Sequence, residues 1–205
     1  MRIDIQPIVC GLYQENAYRV SAEGRTDCVL IDPGDDLARL RCALSGRTLA
    51  AILLTHGHFD HILAAKPLAD ETGAPVYIHP MDMDMLNDYA INGYDPEVCR
   101  LRPPEKLDAR PLGEALDVAG LSFRVLHTPG HSRGSVCLYL EGEGVLFSGD
   151  TMFRAGYGRM DLHGGSELSM RRSLRALFDL PEGVKVFSGH GGPTTVGEER
   201  ARYGL

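Results

Sequence analysis

The most informative part of the sequence is the stretch Thr55-His56-Gly57-His58-Phe59-Asp60-His61. It places three histidines and an aspartate close together, directly after the apolar run at residues 50–54. Imidazole and carboxylate groups are common ligands of divalent metal ions. Without a cation, so many polar groups at the end of one strand would need hydrogen-bond partners or water. The stretch therefore predicts a metal site.

The spacing within this stretch favours two metal ions over one. His56 and His58 can hold one ion, but the adjacent residues Asp60 and His61 cannot easily reach that same ion. Two neighbouring ions suit the spacing better. The alternative interpretation is a solvated polar loop, and the crowding of ligand side chains argues against it.

Three later segments share one design, in which an apolar strand ends in a tight turn and a metal-capable residue follows. Residues 123–130 lead to His131, residues 145–149 lead to Asp150, and residues 184–189 lead to His190. Glycines in these turns permit tight or left-handed backbone and put the ligand just past the strand end. If the strands lie side by side, the ligands gather along one edge. Asp150 is the natural bridging carboxylate, because one aspartate can give an oxygen to each ion.

Composition excludes several other classes of protein. The chain has 205 residues, with 21 Lys and Arg against 28 Asp and Glu, so 21 − 28 gives a net charge of −7. An acidic chain without a basic run is a poor partner for nucleic acid or anionic membranes. No apolar run is long enough to cross a bilayer, and the N-terminus does not look like a signal peptide. The five cysteines contain no C-x-x-C, which predicts free thiols and a cytoplasmic location.

The order of elements predicts an α/β fold. Strands dominate the first third, including a hairpin of residues 16–20 and 28–32, and strands and helices alternate afterwards. This order predicts helices packed on sheets around one core, as a single domain over residues 1–205. Residues 91–113 form the longest irregular stretch. A lid and an ordinary surface loop are both open for it.

Four helices are predicted. The first begins at a cap formed by Asp35 or Asp36 and runs to about residue 45, and the second covers residues 63–72 and ends at Gly73. The third covers residues 80–90. The fourth covers residues 166–178, with Leu168, Leu174 and Leu177 facing inward.

These motifs resemble the metallo-β-lactamase superfamily and, within it, the short glyoxalase II-like (hydroxyacylglutathione hydrolase-like) proteins. The resemblance runs nearly end to end. Its motifs are Gln14-Glu15-Asn16-Ala17-Tyr18, Ile31-Asp32-Pro33-Gly34, Leu53-Leu54-Thr55-His56, His127-Thr128-Pro129-Gly130-His131, Phe147-Ser148-Gly149-Asp150-Thr151, Gly158-Arg159-Met160-Asp161 and Gly189-His190-Gly191-Gly192-Pro193-Thr194-Thr195.

The resemblance implies an αββα sandwich, with two mixed β-sheets flanked by helices and a metal site on the sheet edges. It also implies two divalent metal ions, with zinc first and iron or manganese as the other metals of the family. Carried over by position, metal 1 has the ligands His56, His58, His131 and Asp150, and metal 2 has the ligands Asp60, His61, His190 and the shared Asp150. Asp60 is also the predicted catalytic residue. Asp32 matches an aspartate behind the ligands that orients one of them.

The implied activity is hydrolysis of small acyl thioesters of the S-lactoylglutathione type by a hydroxide that bridges the two metals. The expected partners are a small acyl thioester or ester, with no nucleic acid and no membrane, and the chain is expected to be a monomer or a homodimer. The sequence ends soon after His190, so we expect the C-terminal helical domain by which full-length glyoxalase II enzymes hold glutathione to be absent, which puts glutathione recognition in question. Arg159 either ties its loop near the site or pairs with Asp161.

Two alternative functions share the same family. One is a persulfide dioxygenase-like oxidoreductase, with a single iron held by His56, His131 and Asp150. The other is hydrolysis of another small ester or a lactone. A non-catalytic metal-binding domain is a third possibility, but the complete ligand set argues against it.

Overall fold

The structure is a computed structural model that describes residues 2–94 and 106–204, and it contains two six-stranded sheets. The first sheet has the order β1-β2-β3-β4-β5-β6, with strands at Ile3–Cys10, Glu15–Ala22, Asp27–Ile31, Thr48–Leu53, Val76–Ile78 and Arg110–Pro111. The second sheet has the order β12-β11-β10-β9-β8-β7, with β7 to β12 at Ala115–Val118, Leu121–His127, Val136–Leu140, Val145–Gly149, Lys185–Ser188 and Thr194–Thr195.

Both sheets mix parallel and antiparallel pairs. In the first sheet β1, β2 and β3 are antiparallel, and β3 to β6 are parallel. In the second sheet β7 to β10 are antiparallel, β11 is parallel to β10, and β12 returns antiparallel to β11. The helices are α1 Leu37–Ala43, α2 Ala65–Thr72, α3 Glu167–Phe178 and α4 Val196–Arg202.

Alternation along the strands builds the layers, because successive side chains point to opposite faces of a sheet. In β3, Val29 and Ile31 enter the core between the two sheets, whereas Cys28 and Leu30 pack towards α1 and α2. The second sheet buries its outer face under α3 and α4. The two mixed sheets flanked by helices confirm the predicted αββα sandwich.

Three sequence predictions about local structure are wrong. Residues 80–90 form two short 3₁₀ turns, Pro80–Asp82 and Asp84–Leu86, instead of one helix. Leu168 does not face inward but is 62% exposed. Asp36 precedes α1, but its side chain makes no capping bond and accepts a hydrogen bond from the Gly11 N–H instead.

Other parts of the chain were not predicted or are not described. The sequence analysis did not predict the short helix α4, which begins with a capping box formed by Thr195 and Glu198. Of the irregular stretch 91–113, residues 95–105 lie outside the described residues. None of the described helices combines the length and apolar character needed to cross a membrane.

Candidate metal centre

The predicted ligands lie at one end of the two sheets, in loops that follow strand ends. The first sheet contributes His56, His58, Asp60 and His61 after β4. The second sheet contributes His131 after β8, Asp150 after β10 and His190 after β11. Parallel β10 and β11 explain why Asp150 and His190 meet, since each follows its strand at the same edge. The structure therefore brings all seven predicted side chains together from both sheets.

These side chains form two groups with one aspartate between them. Ligand atoms of His56, His58 and His131 lie within 4.8 Å of one another, and so do those of Asp60, His61 and His190. Asp150 reaches both groups: its Oδ2 lies 3.5 Å from His131 Nε2 and its Oδ1 lies 3.5 Å from His61 Nε2. The arrangement offers two neighbouring cation positions with a carboxylate between them.

Hydrogen bonds on the side facing away from the centre determine which nitrogen of each histidine ring is available to a metal ion. His131 Nδ1 donates to the Arg159 carbonyl at 2.7 Å, and His190 Nδ1 donates to the Tyr13 carbonyl at 3.1 Å. Because a carbonyl oxygen only accepts, the proton in each neutral ring is assigned to Nδ1. Nε2 then carries the lone pair and faces the centre.

Asp32 orients two further rings. Its Oδ2 accepts a hydrogen bond from His61 Nδ1 at 3.1 Å and another from the Thr55 hydroxyl at 2.6 Å. Because the Thr55 hydroxyl donates to Asp32, its oxygen is left to accept from His56 Nδ1 at 3.0 Å. His56 and His61 therefore also present Nε2. A ligand nitrogen fixed by a hydrogen bond at the other nitrogen is a common feature of metal-binding histidines.

The donor set fits divalent metal ions. His56 Nε2, His61 Nε2 and Asp150 Oδ1 are buried and make no hydrogen bond with any described residue. Each such atom costs about 1–3 kcal/mol if it stays unpaired. His58 Nδ1 and His131 Nε2 lie only 2.8 Å apart, so a cation between them can accept a lone pair from each. Imidazole and carboxylate donors of this kind suit zinc, iron and manganese.

The two groups differ in charge. Burial, with the neighbouring His131, lowers the pKa of His58 to about 3, and burial lowers the pKa of His56 well below its usual value. Burial also acts to lower the pKa of His61, but Asp60, Asp150 and Asp32 outweigh it and raise that pKa to about 10. His56 and His58 are therefore neutral at pH 7, whereas in the metal-free protein the second group holds a protonated His61 imidazole among carboxylates.

Glycines allow the loops to approach the ligands. A Cβ on Gly189 would lie 2.4 Å from Asp150 Oδ1 and 2.6 Å from His61 Cε1. A Cβ on Gly158 would lie 2.2 Å from the Asp150 carbonyl oxygen. A larger residue at either position would displace a ligand.

The sequence analysis missed two buried acids beside the centre. Glu15 is 1% exposed, its Oε1 lies 3.8 Å from His61 Nδ1, and neither of its oxygens makes a hydrogen bond with a described residue. Burial raises the pKa of the Glu15 carboxyl well above its usual value. Asp82 is fully buried next to the loops that carry His58 and His131. The position of Glu15 within the Gln14-Glu15-Asn16-Ala17-Tyr18 motif is a signal that could have drawn attention to it.

A cavity of about 310 Å³ opens in front of the ligands. Tyr13, Phe59, Phe153 and Leu162 give it an apolar wall, and the Tyr13 and Phe59 rings meet edge to face at 5.3 Å. Arg159 lines it too, and its guanidinium forms a two-pronged ion pair with Asp161 at 2.6 and 2.7 Å. Of the two roles considered for the Arg159 side chain, the structure shows the ion pair with Asp161, whereas the contact with His131 is made by the Arg159 backbone carbonyl.

Comparison with known proteins decides the family. Residues 10–190 match the family model described as the metallo-beta-lactamase superfamily. The chain belongs to this superfamily. The resemblance seen in the sequence is thereby confirmed, and membership together with the histidine and aspartate cluster supports binding of divalent metal ions.

Relatives of this superfamily member cover nearly its whole length. Hydroxyacylglutathione hydrolase GloC of Haemophilus influenzae is 30% identical over 207 residues, covering 98% of this chain and 95% of the relative. The crystal structure of BLEG-1 B3 metallo-beta-lactamase is similar with a TM-score of 0.88 and 38% identity, covering 97% of each chain. A di-iron-bound form of TTHA1623 is similar with a TM-score of 0.83 and 41% identity, covering 96% of this chain and 97% of that one. The family and these relatives indicate a metal-dependent hydrolase.

Proposed function

We propose that this superfamily member is a dinuclear metal-dependent hydrolase of small acyl thioesters, of the glyoxalase II type. The observation that carries the proposal is the position of Asp150, whose two carboxylate oxygens each lie 3.5 Å from a histidine of a different group. One metal is assigned to His56, His58, His131 and Asp150, and the other to Asp60, His61, His190 and Asp150. Zinc is the proposed metal, with iron or manganese as alternatives, and the di-iron-bound TTHA1623 supports a two-metal centre.

Two divalent ions held there supply Lewis acidity, which lowers the pKa of an attacking water and polarises an acyl carbonyl. Asp60 is the proposed catalytic carboxylate. Burial acts to raise its pKa, but the neighbouring His61 and His190 outweigh burial and lower it, so Asp60 stays ionised. An ionised Asp60 can orient the attacking water by accepting its hydrogen bond. A thiolate is a good leaving group, so the site needs no dedicated general acid.

The cavity supports a thioester substrate. Its aromatic and aliphatic wall, with Tyr13, Phe59 and Phe153, suits the apolar part of an acyl group. The hydroxyacylglutathione hydrolase relative supports a substrate of the S-lactoylglutathione class. The single-iron dioxygenase alternative is not favoured, because it leaves the second group of Asp60, His61 and His190 without a role.

Three expectations about the whole chain complete the proposal. The described cysteines Cys10, Cys28, Cys42 and Cys137 are free thiols, which supports a cytoplasmic location. We take residues 1–205 as a single domain and the protein as a monomer or homodimer.

Hydrolysis of S-D-lactoylglutathione tests the proposal. Metal-free protein is loaded separately with zinc, manganese or iron, and turnover is measured under nitrogen together with the metal content per chain. We expect about two metal ions per chain and turnover without oxygen. No turnover with any metal would contradict the thioester substrate. Persulfide-dependent oxygen uptake by the iron form, measured separately in air, would favour the dioxygenase.

Asp150→Ala tests the bridging aspartate in the same assay. We expect the variant to stay folded and lose more than about 100-fold in activity, beyond the usual cost of losing an outer hydrogen-bond partner. Asp70→Ala is the matched control, because Asp70 is an exposed aspartate of α2 paired with Lys66, and it should leave activity unchanged. An Asp150→Ala variant with two tightly bound metals and normal turnover would disprove the bridging role.

A further inference from the structure

We infer that Asp82 is a positioning residue that fixes the distance between the two loops carrying His56, His58 and His131. The inference rests on the proposed metal site, because those three histidines are the proposed ligands of one metal. Asp82 lies in the 3₁₀ turn Pro80–Asp82 that follows β5, and its side chain is 0% exposed. No step of the proposed reaction uses it.

One carboxylate binds both loops. Asp82 Oδ2 accepts a hydrogen bond from the Gly57 N–H at 3.2 Å, and Gly57 lies between His56 and His58. The same oxygen accepts a hydrogen bond from the Ser132 hydroxyl at 2.5 Å, and Ser132 directly follows His131. Its other oxygen, Oδ1, accepts one from the Gly134 N–H at 2.6 Å.

The turn also packs against both loops without spare room. A Cβ on Gly57 would lie 2.6 Å from Met85 Cβ, and a Cβ on Gly134 would lie 2.7 Å from Asp82 Cγ. Met85 belongs to the next turn, Asp84–Leu86, so the two turns together leave no room for a side chain at either glycine. Glycine at position 134 is what lets the Asp82 carboxylate reach the backbone of the loop after β8.

The two loops belong to different sheets, so their separation is not set by one strand. Gly57 follows β4 of the first sheet, and Ser132 and Gly134 lie between β8 and β9 of the second sheet. The two loops are also joined by a hydrogen bond from the Val136 N–H to the Thr55 carbonyl at 2.9 Å. Thr55 lies before His56, at the end of β4, and Val136 lies at the start of β9, so this bond joins the strand ends. Asp82 acts on the residues next to His58 and His131, whose facing nitrogens are 2.8 Å apart.

The chemistry calls for a carboxylate at this position. Three donors converge on Asp82, and an ionised carboxylate offers acceptors only. An asparagine keeps the shape and burial but turns one oxygen into an N–H donor that faces another donor. One loop then loses its anchor, and the His58–His131 distance is no longer fixed. None of the described hydrogen bonds of Asp82 reaches Asp60, His61 or His190, so we expect these three residues to keep their geometry.

The chain offers a closely matched control in Glu199. Its side chain is also 0% exposed, and it accepts from a backbone N–H, that of Ala155, at 2.9 Å and from the Thr194 hydroxyl at 2.6 Å. It lies in α4, on the far face of the second sheet, and none of its described hydrogen bonds or ion pairs reaches a proposed ligand of the first metal. Glu199→Gln therefore removes a buried carboxylate charge at similar structural cost.

The experiment compares zinc binding by wild-type, Asp82→Asn and Glu199→Gln protein. Metal-free chains are titrated calorimetrically with zinc, and thermal unfolding of each metal-free chain gives its stability. His58→Ala and His190→Ala identify which binding step belongs to which metal, since each removes one ligand. We expect Asp82→Asn to weaken the step lost in His58→Ala by about 10–100-fold and to leave the other step unchanged. Glu199→Gln should lower the unfolding temperature and leave both steps unchanged.

Ser132→Ala extends the test if Asp82→Asn does not fold. It removes one of the three hydrogen bonds and should weaken the same binding step by a smaller factor. Unchanged zinc affinity in the variants, or an equal loss at both steps, would overturn the inference while leaving the proposed function intact. Wild-type protein that binds no zinc would overturn the proposed metal site itself.

Discussion

At the scale of single residues, the loop after β10 comes so close to the ligands that Gly158 has no room for a methyl group. Its N–H donates to the Asp150 carbonyl at 2.9 Å, and a Cβ there would also lie 2.8 Å from His131 Nδ1. We expect Gly158→Ala to move Asp150 and His131 apart and to lower kcat/KM by about 100-fold, since displacements near 1 Å can cost that much. Steady-state kinetics and metal content on the purified variant measure the effect.

Gly156→Ala is the matched control for this prediction. Gly156 lies two residues away in the same loop, and a Cβ there would meet nothing within 4 Å. We expect Gly156→Ala to keep normal activity and full metal content. Equal losses in the two variants would show that the loop, and not the close approach at Gly158, controls the site.

Residue by residue, the sequence predicts the candidate ligands better than it predicts what holds them. His131, Asp150 and His190 each follow a strand and a glycine, so a local pattern reveals them. Asp82 has no such pattern, because its partners Gly57 and Ser132 lie 25 and 50 positions away in the chain. Burial of an acid depends on contacts between distant segments, and a single sequence does not display those contacts.

At the scale of elements, α3 shows how phase decides which leucines matter for stability. Leu177 is 1% exposed and packs against the second sheet, whereas Leu168 is 62% exposed on the same helix. We expect Leu177→Ala to lower the free energy of unfolding by about 2–5 kcal/mol. Leu168→Ala should change it by less than about 0.5 kcal/mol. Urea denaturation of the two variants measures both values, and similar losses would contradict the described orientation of α3.

The spacing of residues in α3 explains why its buried residues could be predicted only in part. Met170, Leu174 and Leu177 follow one another at spacings of four and three, and all three are buried. Leu168 is six positions before Leu174, which at about 100° per residue places it well away from that face. A prediction based on the rotation of about 100° per residue selects Met170 as a buried residue, whereas a prediction based on residue type alone selects Leu168. Bounds of the long strands could be predicted closely because their apolar runs end at glycine or polar residues.

At the scale of the whole molecule, the candidate centre joins the two sheets. Each proposed metal position takes ligands from both sheets: His56 and His58 with His131 at one, and Asp60 and His61 with His190 at the other. A bound ion therefore adds contacts between the halves of the sandwich that exist only in the folded chain. Binding that requires the folded state raises the free energy of unfolding.

Removal of the metals should therefore destabilise the fold, and more strongly at pH 8 than at pH 6. Zinc at a hundred times its Kd adds about 2.7 kcal/mol per site, which corresponds to roughly 5–10 °C in Tm for a chain of this size. In the metal-free protein the pKa of His61 is raised to about 10. Protonation of His61 therefore stabilises the folded metal-free protein. This stabilisation is complete below the pKa that His61 has in the unfolded chain, and it is lost as the pH rises through the folded-state pKa. Protons thus compete with the metal more at pH 6, and the gain in Tm on adding zinc should shrink there. Thermal unfolding of the protein with a chelator, with zinc restored and with the Asp150→Ala substitution measures the gain in Tm due to zinc. A Tm that does not change when the chelator is added, at either pH, would contradict a centre that joins the sheets.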